Sequence, residues 1–77
     1  METGDKIKRL RELSSLSREQ LGCLVGVTRR AISYYEHNER FPDLDVILKI
    51  ANIFGVVPVE LLPDWFIENE KRFYETP

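Results

Sequence analysis

The fold is decided by the stretch SREQLGCLVGVTRRAISYYEH, residues 17–37. Its first half carries the signals of a short helix. Ser17 and Gln20 stand at the spacing of a capping box, in which each side chain satisfies the free N–H group of the other residue. Gly26 favours a left-handed C-terminal cap and so predicts the end of this helix. The stretch therefore begins with one helix of about eight residues.

A second helix follows after only Gly26-Val27-Thr28. Thr28 is a good N-cap, and Asn38 tolerates the left-handed conformation that stops a helix, so the helix runs to about His37. So short a turn between two capped helices makes them cross steeply. The stretch is therefore predicted to form a helix-turn-helix.

The two faces of this second helix differ in chemistry. At 100° per residue, Ala31, Ile32, Tyr35 and Glu36 fall on one side, and Arg30, Ser33, Tyr34 and His37 fall on the other, with Arg29 at the edge. The apolar side must pack on the body, so we expect Tyr35 in the core and Tyr34 outside. Arginine matches guanine O6 and N7, and the major groove admits one helix. The outward face therefore predicts DNA reading.

The rest of the chain also reads as helices, and no segment shows the alternation of a strand. A first helix runs from Asp5 to Leu13, with Ile7, Leu10 and Leu13 on one stripe. Asp43 is expected to cap a fourth helix that ends at Gly55 and carries Leu44, Ile47, Leu48, Ala51 and Phe54 on one face. Pro58 opens a short fifth helix to Leu62, and Asp64 is expected to cap a sixth. The predicted class is all-α, with five helices in residues 1–63 and a C-terminal appendage in residues 64–77.

Composition excludes several other classes of protein. With 77 residues, one cysteine and one histidine, the chain can form neither an internal disulfide nor an ordinary zinc site. The sequence carries charges from Glu2 onward and contains no apolar stretch long enough for a signal peptide or a membrane span, so we expect a cytoplasmic protein. There is no phosphate-binding glycine loop and no nucleophile–base pair. We therefore expect no enzyme activity, no cofactor and no metal.

Charge is distributed unevenly although the net charge is only −2. Residues 1–40 contain eight Lys or Arg against six Asp or Glu, whereas residues 41–77 contain three against seven. Only the first half can therefore meet a polyanion favourably.

The chain resembles the Cro/C1-type helix-turn-helix family, which is also called XRE and includes the phage repressors. The resemblance is carried by IKRLRE at 7–12, LSREQL at 16–21, GVTRRAISYYE at 26–36, Pro42, and LDVILKIANIFGVVPVELL at 44–62. It needs no insertion and covers about three quarters of the chain. It implies the compact lambda-repressor-like fold and binding to double-stranded DNA.

The resemblance also implies roles for individual residues. Residues matching Arg29, Arg30 and Tyr34 usually read bases, and those matching Arg18, Thr28 and His37 usually touch phosphates or flank bases; we add Ser33 and Arg40 to this DNA-binding set. Residues matching Arg11 and Glu36 usually form an internal ion pair. Two departures from the family stand out. Arg18 replaces a common glutamine that could brace the recognition helix, and Gly22 replaces a common alanine at a cost of about 1 kcal/mol in helix stability.

The C-terminal appendage is rich in aromatic residues, namely Trp65, Phe66, Phe73 and Tyr74. Exposed aromatic patches usually mark partners, so we expect these residues to contact a second copy of the chain, although packing of some rings on their own domain is nearly as consistent with the sequence. The functional expectation is a repressor that binds a near-palindromic operator as a homodimer. The alternative is an antitoxin-like or accessory module that binds a protein partner through the acidic half and the aromatic tail.

Overall fold

The computed structural model describes the backbone of residues 1–75 and the side chains of residues 1–69. Every regular element in the described part is helical. The elements are α1 (Thr3–Leu13), α2 (Arg18–Val25), α3 (Arg29–Glu36), α4 (Leu44–Phe54), a 3-10 helix (Pro58–Leu61) and α5 (Asp64–Glu75). The expected all-α class and the C-terminal helix are thus confirmed, and the short element at Pro58 is a 3-10 helix.

The ends of α2 and α3 follow the predicted capping signals. Gln20 N–H donates to Ser17 Oγ at 3.0 Å, and Ser17 N–H donates to Gln20 Oε1 at 2.8 Å, which completes the capping box. Gly26 ends α2 in the left-handed region at φ 77°. The hydroxyl of Thr28 accepts from the N–H of Ala31 at 3.0 Å and fixes the start of α3.

One expected cap is wrong, one is right in position only, and one cap was missed. Asp43 occupies the N-cap position of α4 as predicted, but its side chain makes no capping hydrogen bond. The carboxylate of Asp64 contacts the N-terminal ammonium and Lys6 instead of capping α5. Helix α1 begins at Thr3, before the expected Asp5, because the Asp5 carboxylate accepts from the Glu2 N–H at 3.0 Å and satisfies the first turn.

The core lies where α1, α2, α3, α4 and the 3-10 helix converge. Its buried apolar side chains are Ile7, Leu21, Val25, Ile32, Tyr35, Val46, Ile47, Ile50, Ala51 and Leu61. Packing of α3 against both α1 and α2 buries one side of α3 and holds its axis. The core therefore fixes which face of α3 is exposed.

The predicted core face was partly wrong in two helices. In α4, Leu44 is 72% exposed and Leu48 is also exposed, whereas Val46 and Ile50 are buried. Apolar residues occur around most of α4, so spacing alone does not identify the buried side. Leu13 of α1 is likewise exposed, although it shares the predicted stripe with the buried Ile7.

Candidate DNA interface

The two faces of α3 differ in solvent exposure, as the sequence predicts. Ile32, Tyr35 and Glu36 are buried on the inner side. On the other side Arg29 and Arg30 are exposed, and Ser33 and Tyr34 are partly exposed. The adjacent tyrosines therefore have different environments, one in the core and one at the surface.

Two guanidinium groups lie close to the ring of Tyr34. The Cζ atom of Arg30 is 5.8 Å from the ring centroid, and the Cζ atom of Arg40 is 5.3 Å from it. Both distances are within the range of a cation–π contact. The sequence places all three residues in the DNA-binding set but does not predict the contact between Arg40 and Tyr34. Arg40 lies outside the helix, so no helical periodicity relates it to Tyr34.

The loop after α3 is fixed by backbone hydrogen bonds. The N–H groups of Glu39 and Arg40 both donate to the carbonyl of Tyr34, at 3.0 and 3.3 Å. Asn38 adopts the left-handed conformation at φ 58° and turns the chain. Arg40 is therefore held beside the outer face of α3, and its cation extends the basic surface beyond the helix end.

Thr28 and His37 lie at the two ends of α3. Thr28 uses its oxygen as an acceptor inside the helix cap, which leaves its hydroxyl proton able to donate outward. Nδ1 of His37 lies 2.7 Å from the Ser33 carbonyl and 3.3 Å from Ser33 Oγ. Both residues are exposed.

The buried carboxylate of Glu36 in α3 contacts one arginine from α1 and one from α2. Arg11 of α1 donates to Glu36 through Nε at 2.6 Å and through Nη2 at 3.0 Å, so the two form a bidentate ion pair. This hydrogen bonding raises the pKa of Arg11 above its ordinary value, against the opposing effect of burial. Arg11 also donates to the Leu16 carbonyl at 2.9 Å. The arginine–glutamate pair therefore ties α1 to the end of α3.

Arg18 joins the same carboxylate. Its Nε donates to Glu36 Oε1 at 3.0 Å. From the sequence we expect Arg18 to contact a phosphate and its substitution for glutamine to remove a brace on α3. The second expectation is wrong, since Arg18 itself braces α3. Arg18 also lines a cleft of about 250 Å³ with Arg29, Arg30 and Ser33.

The aromatic appendage is described only in part. Trp65 and Phe66 are exposed by 57% and 40%, and their rings meet edge to face with centroids 6.0 Å apart. Phe73 and Tyr74, expected in the same contact, have side chains that lie outside the described residues.

Comparison with known proteins agrees with this geometry. A family model described as Helix-turn-helix matches residues 7–62. The chain belongs to this family, in its Cro/C1-type branch. The helix-turn-helix domain is 40% identical over 62 residues to an HTH-type transcriptional regulatory protein of Methanosarcina mazei, a match that covers 77% of this chain. The chain spans about a fifth of the length of that relative, since the match covers 19% of it.

Two solved structures share the fold of this helix-turn-helix domain. The P22 c2 repressor in complex with a synthetic operator superimposes with a TM-score of 0.77 at 29% identity, over 80% of this chain and 94% of that chain. The restriction-modification controller protein C.AhdI from Aeromonas hydrophila superimposes with a TM-score of 0.71 at 33% identity, over 78% of this chain and 91% of that chain. The domain therefore has the phage-repressor fold of helix-turn-helix transcriptional regulators.

Two further structural facts concern the described residues only. None of their helices has the length and apolar character needed to cross a bilayer. Within the same part of the chain, no three His, Cys, Asp or Glu side chains form a group able to hold a metal ion.

Proposed function

We propose that the domain is a sequence-specific reader of double-stranded DNA that regulates transcription through α3. The observation that carries the proposal is the exposure of Arg29 and Arg30, with Ser33 and Tyr34 partly exposed, on a helix whose opposite side is buried. An arginine guanidinium can donate two hydrogen bonds to O6 and N7 of guanine, and the Tyr34 ring can pack against a thymine methyl group. The likeness to an operator-bound repressor supports the same reading. No catalytic role is proposed.

Backbone contacts in this proposal come from the edges of the same surface. Thr28, Arg18, His37 and Arg40 lie around the base-reading residues and carry donors that suit phosphate oxygens. Such contacts fix the register of α3 on the duplex without reading sequence. The site therefore divides into a central reading face and a surrounding phosphate-binding rim.

The most direct test is selection of bound duplexes from a random pool, followed by titration at several salt concentrations. We expect a defined motif and a linear fall of log affinity with log salt concentration, because phosphate binding releases counterions. Recovery of no enriched motif, together with equal affinity for selected and scrambled duplexes, would remove the proposal.

We further propose a homodimer on a near-palindromic operator, acting as a repressor. Exposed Trp65 and Phe66 support a contact between copies, because aromatic side chains are enriched at interfaces. Two copies of α3 in a helix-turn-helix dimer meet half-sites about 34 Å apart. Light scattering of the chain and of a Trp65→Ala/Phe66→Ala variant tests the assembly. A wild-type monomer that selects single half-sites contradicts the dimer, and reporter output with and without the protein gives the sign of regulation.

A protein-interaction module is the second candidate, and the same exposed aromatic pair favours it. Trp65 and Phe66 belong to the acidic second half of the chain, which disfavours contact with DNA. A monomer that ignores all duplexes but captures a defined protein through Trp65 would favour this function over DNA reading.

A further inference from the structure

Glu36 accepts hydrogen bonds from a second arginine in addition to its ion-pair partner Arg11. Its side chain is 0% exposed, and its two oxygens accept from Arg11 and from Arg18. A buried carboxylate with two guanidiniums leaves one positive charge in excess. Of the two arginines, Arg18 is the more accessible to solvent, since its side chain is 30% exposed. The cluster therefore has a side that faces solvent through Arg18.

The orientation of Arg18 follows from which nitrogen it uses. Because Nε donates to Glu36, the plane of the guanidinium is set, and neither Nη atom hydrogen-bonds to any residue in the described part of the chain. Arg18 lines a cleft together with Arg29, Arg30 and Ser33. Three of the four residues that line this cleft are arginines and none is a carboxylate, so the cleft favours an anion.

Resting on the proposed DNA function, we propose that Glu36 is a positioning residue that holds Arg18 as a fixed fork for one DNA phosphate in the α2–α3 cleft. The same carboxylate that ties α3 to the core then also sets the affinity for the backbone. An arginine whose rotamer is already fixed loses less conformational freedom on binding than a free side chain. A phosphate held here also fixes how deeply α3 enters the groove.

The Arg18→Lys variant tests whether the oriented guanidinium of Arg18, and not only its positive charge, contributes to DNA affinity. Lysine keeps the positive charge but has no Nε–H and no planar fork. We expect affinity to fall about five- to tenfold for selected and scrambled duplexes alike, with the slope of log affinity against log salt unchanged, because the number of neutralised phosphates stays the same. Arg9→Lys, at an exposed position of α1 away from the cleft, is the matched control and should bind as the wild type does.

Glu36→Gln tests the positioning step. We expect a similar loss of DNA affinity, and in the double variant with Arg18→Lys the two losses should not add, because both break the same contact. Thermal unfolding of each variant sets a temperature at which all are folded. Nitrogen-edited NMR of the free wild-type chain gives a readout that needs no DNA and no folded Glu36 variant. The Nε–H protons of Arg11 and Arg18 should both be protected from exchange, whereas that of Arg9 should not.

The outcomes separate this inference from the proposed function. Wild-type affinity in Arg18→Lys overturns the fixed fork, and so does full affinity in a folded Glu36→Gln variant or an unprotected Arg18 Nε–H. If the wild-type chain binds no duplex at all, the proposed function itself fails, whatever the NMR signals show. Additive losses in the double variant also overturn the positioning role.

Discussion

At the scale of the residue, one helical step of 100° separates the environments of the two adjacent tyrosines, whereas both adjacent arginines are exposed. Tyr35 is buried and Tyr34 faces outward, as helical spacing alone predicts. What spacing does not predict is the partner of a long side chain. Arg18 can point to solvent or to Glu36 from the same backbone position, and only the packed arrangement of α2 on α3 brings the two within 3.0 Å. The contacts of Arg18 and Arg40 were therefore not predictable from the sequence, whereas the Arg11–Glu36 pair followed from the family resemblance.

Arg30 is the residue on which base reading should depend most visibly. We expect Arg30→Ala to relax specificity at one base pair of the selected site by about 1–3 kcal/mol, the usual discrimination of a bidentate contact. Titration against single-base-pair variants of the site measures this. Arg9→Ala on α1 is the control and should change no position. An Arg30→Ala profile identical to that of the wild type would contradict the role.

Whether Gly22→Ala raises or lowers the free energy of unfolding depends on the space around Gly22. Helix propensity alone says that alanine stabilises α2 by about 1 kcal/mol. A Cβ at Gly22, however, would lie 2.6 Å from the Val27 carbonyl oxygen, so the turn between α2 and α3 must shift. Because overpacking costs about 1–3 kcal/mol, we expect Gly22→Ala to lower the free energy of unfolding by about 1 kcal/mol. A urea titration that finds the variant more stable than the wild type would show that the turn gives way freely.

At the scale of the element, α2 and α3 were predictable because each carries its own caps. The Ser17–Gln20 box, Gly26 and Thr28 all act within four residues of the helix ends that they fix. Helix α4 lacks such local information about its orientation. Its apolar residues surround the axis, so the buried side is chosen by contact with α2 and the 3-10 helix. Local signals thus defined the elements, and packing defined their faces.

The buried side of α4 can be tested by a matched pair of truncations. Ile50 is fully buried, so Ile50→Ala should cost about 2–5 kcal/mol in free energy of unfolding through lost burial and a cavity. Leu44 is largely exposed, and Leu44→Ala should change the same quantity by less than about 0.5 kcal/mol. Urea unfolding of both variants measures the difference. Equal losses would mean that α4 packs with a different face inward.

At the scale of the whole molecule, one carboxylate ties the N-terminus to the start of α5. Asp64, at the start of α5, contacts the N-terminal ammonium and accepts from Lys6 Nζ at 2.9 Å. Lys6 also donates to the Leu62 carbonyl at 2.6 Å, and the Asp64 N–H donates to the Met1 carbonyl at 3.1 Å. The sequence did not reveal this link, because the partners stand about sixty positions apart and Asp64 resembles an ordinary cap.

This link gives the fold a specific dependence on acid. Hydrogen bonds from the N-terminal ammonium and from Lys6 lower the pKa of Asp64 from 3.8 to about 2. The stabilisation is therefore complete above about pH 4 and is lost as the pH falls through about 2. We expect Asp64→Asn to lower Tm at pH 7, and the gap between variant and wild type to close between about pH 4 and pH 2. Thermal unfolding of both chains across this range checks it, and a gap that stays constant would contradict the link.

The central claim is that the outward face of α3 is the surface that meets DNA. The most direct measurement is NMR of the isotope-labelled chain during titration with a selected duplex, read at backbone amides and arginine side chains. We expect the largest shifts at Arg29, Arg30, Ser33 and Tyr34, with smaller shifts at Arg18 and Arg40. Shifts confined to Trp65, Phe66 and their neighbours, with α3 unchanged, would contradict the claim.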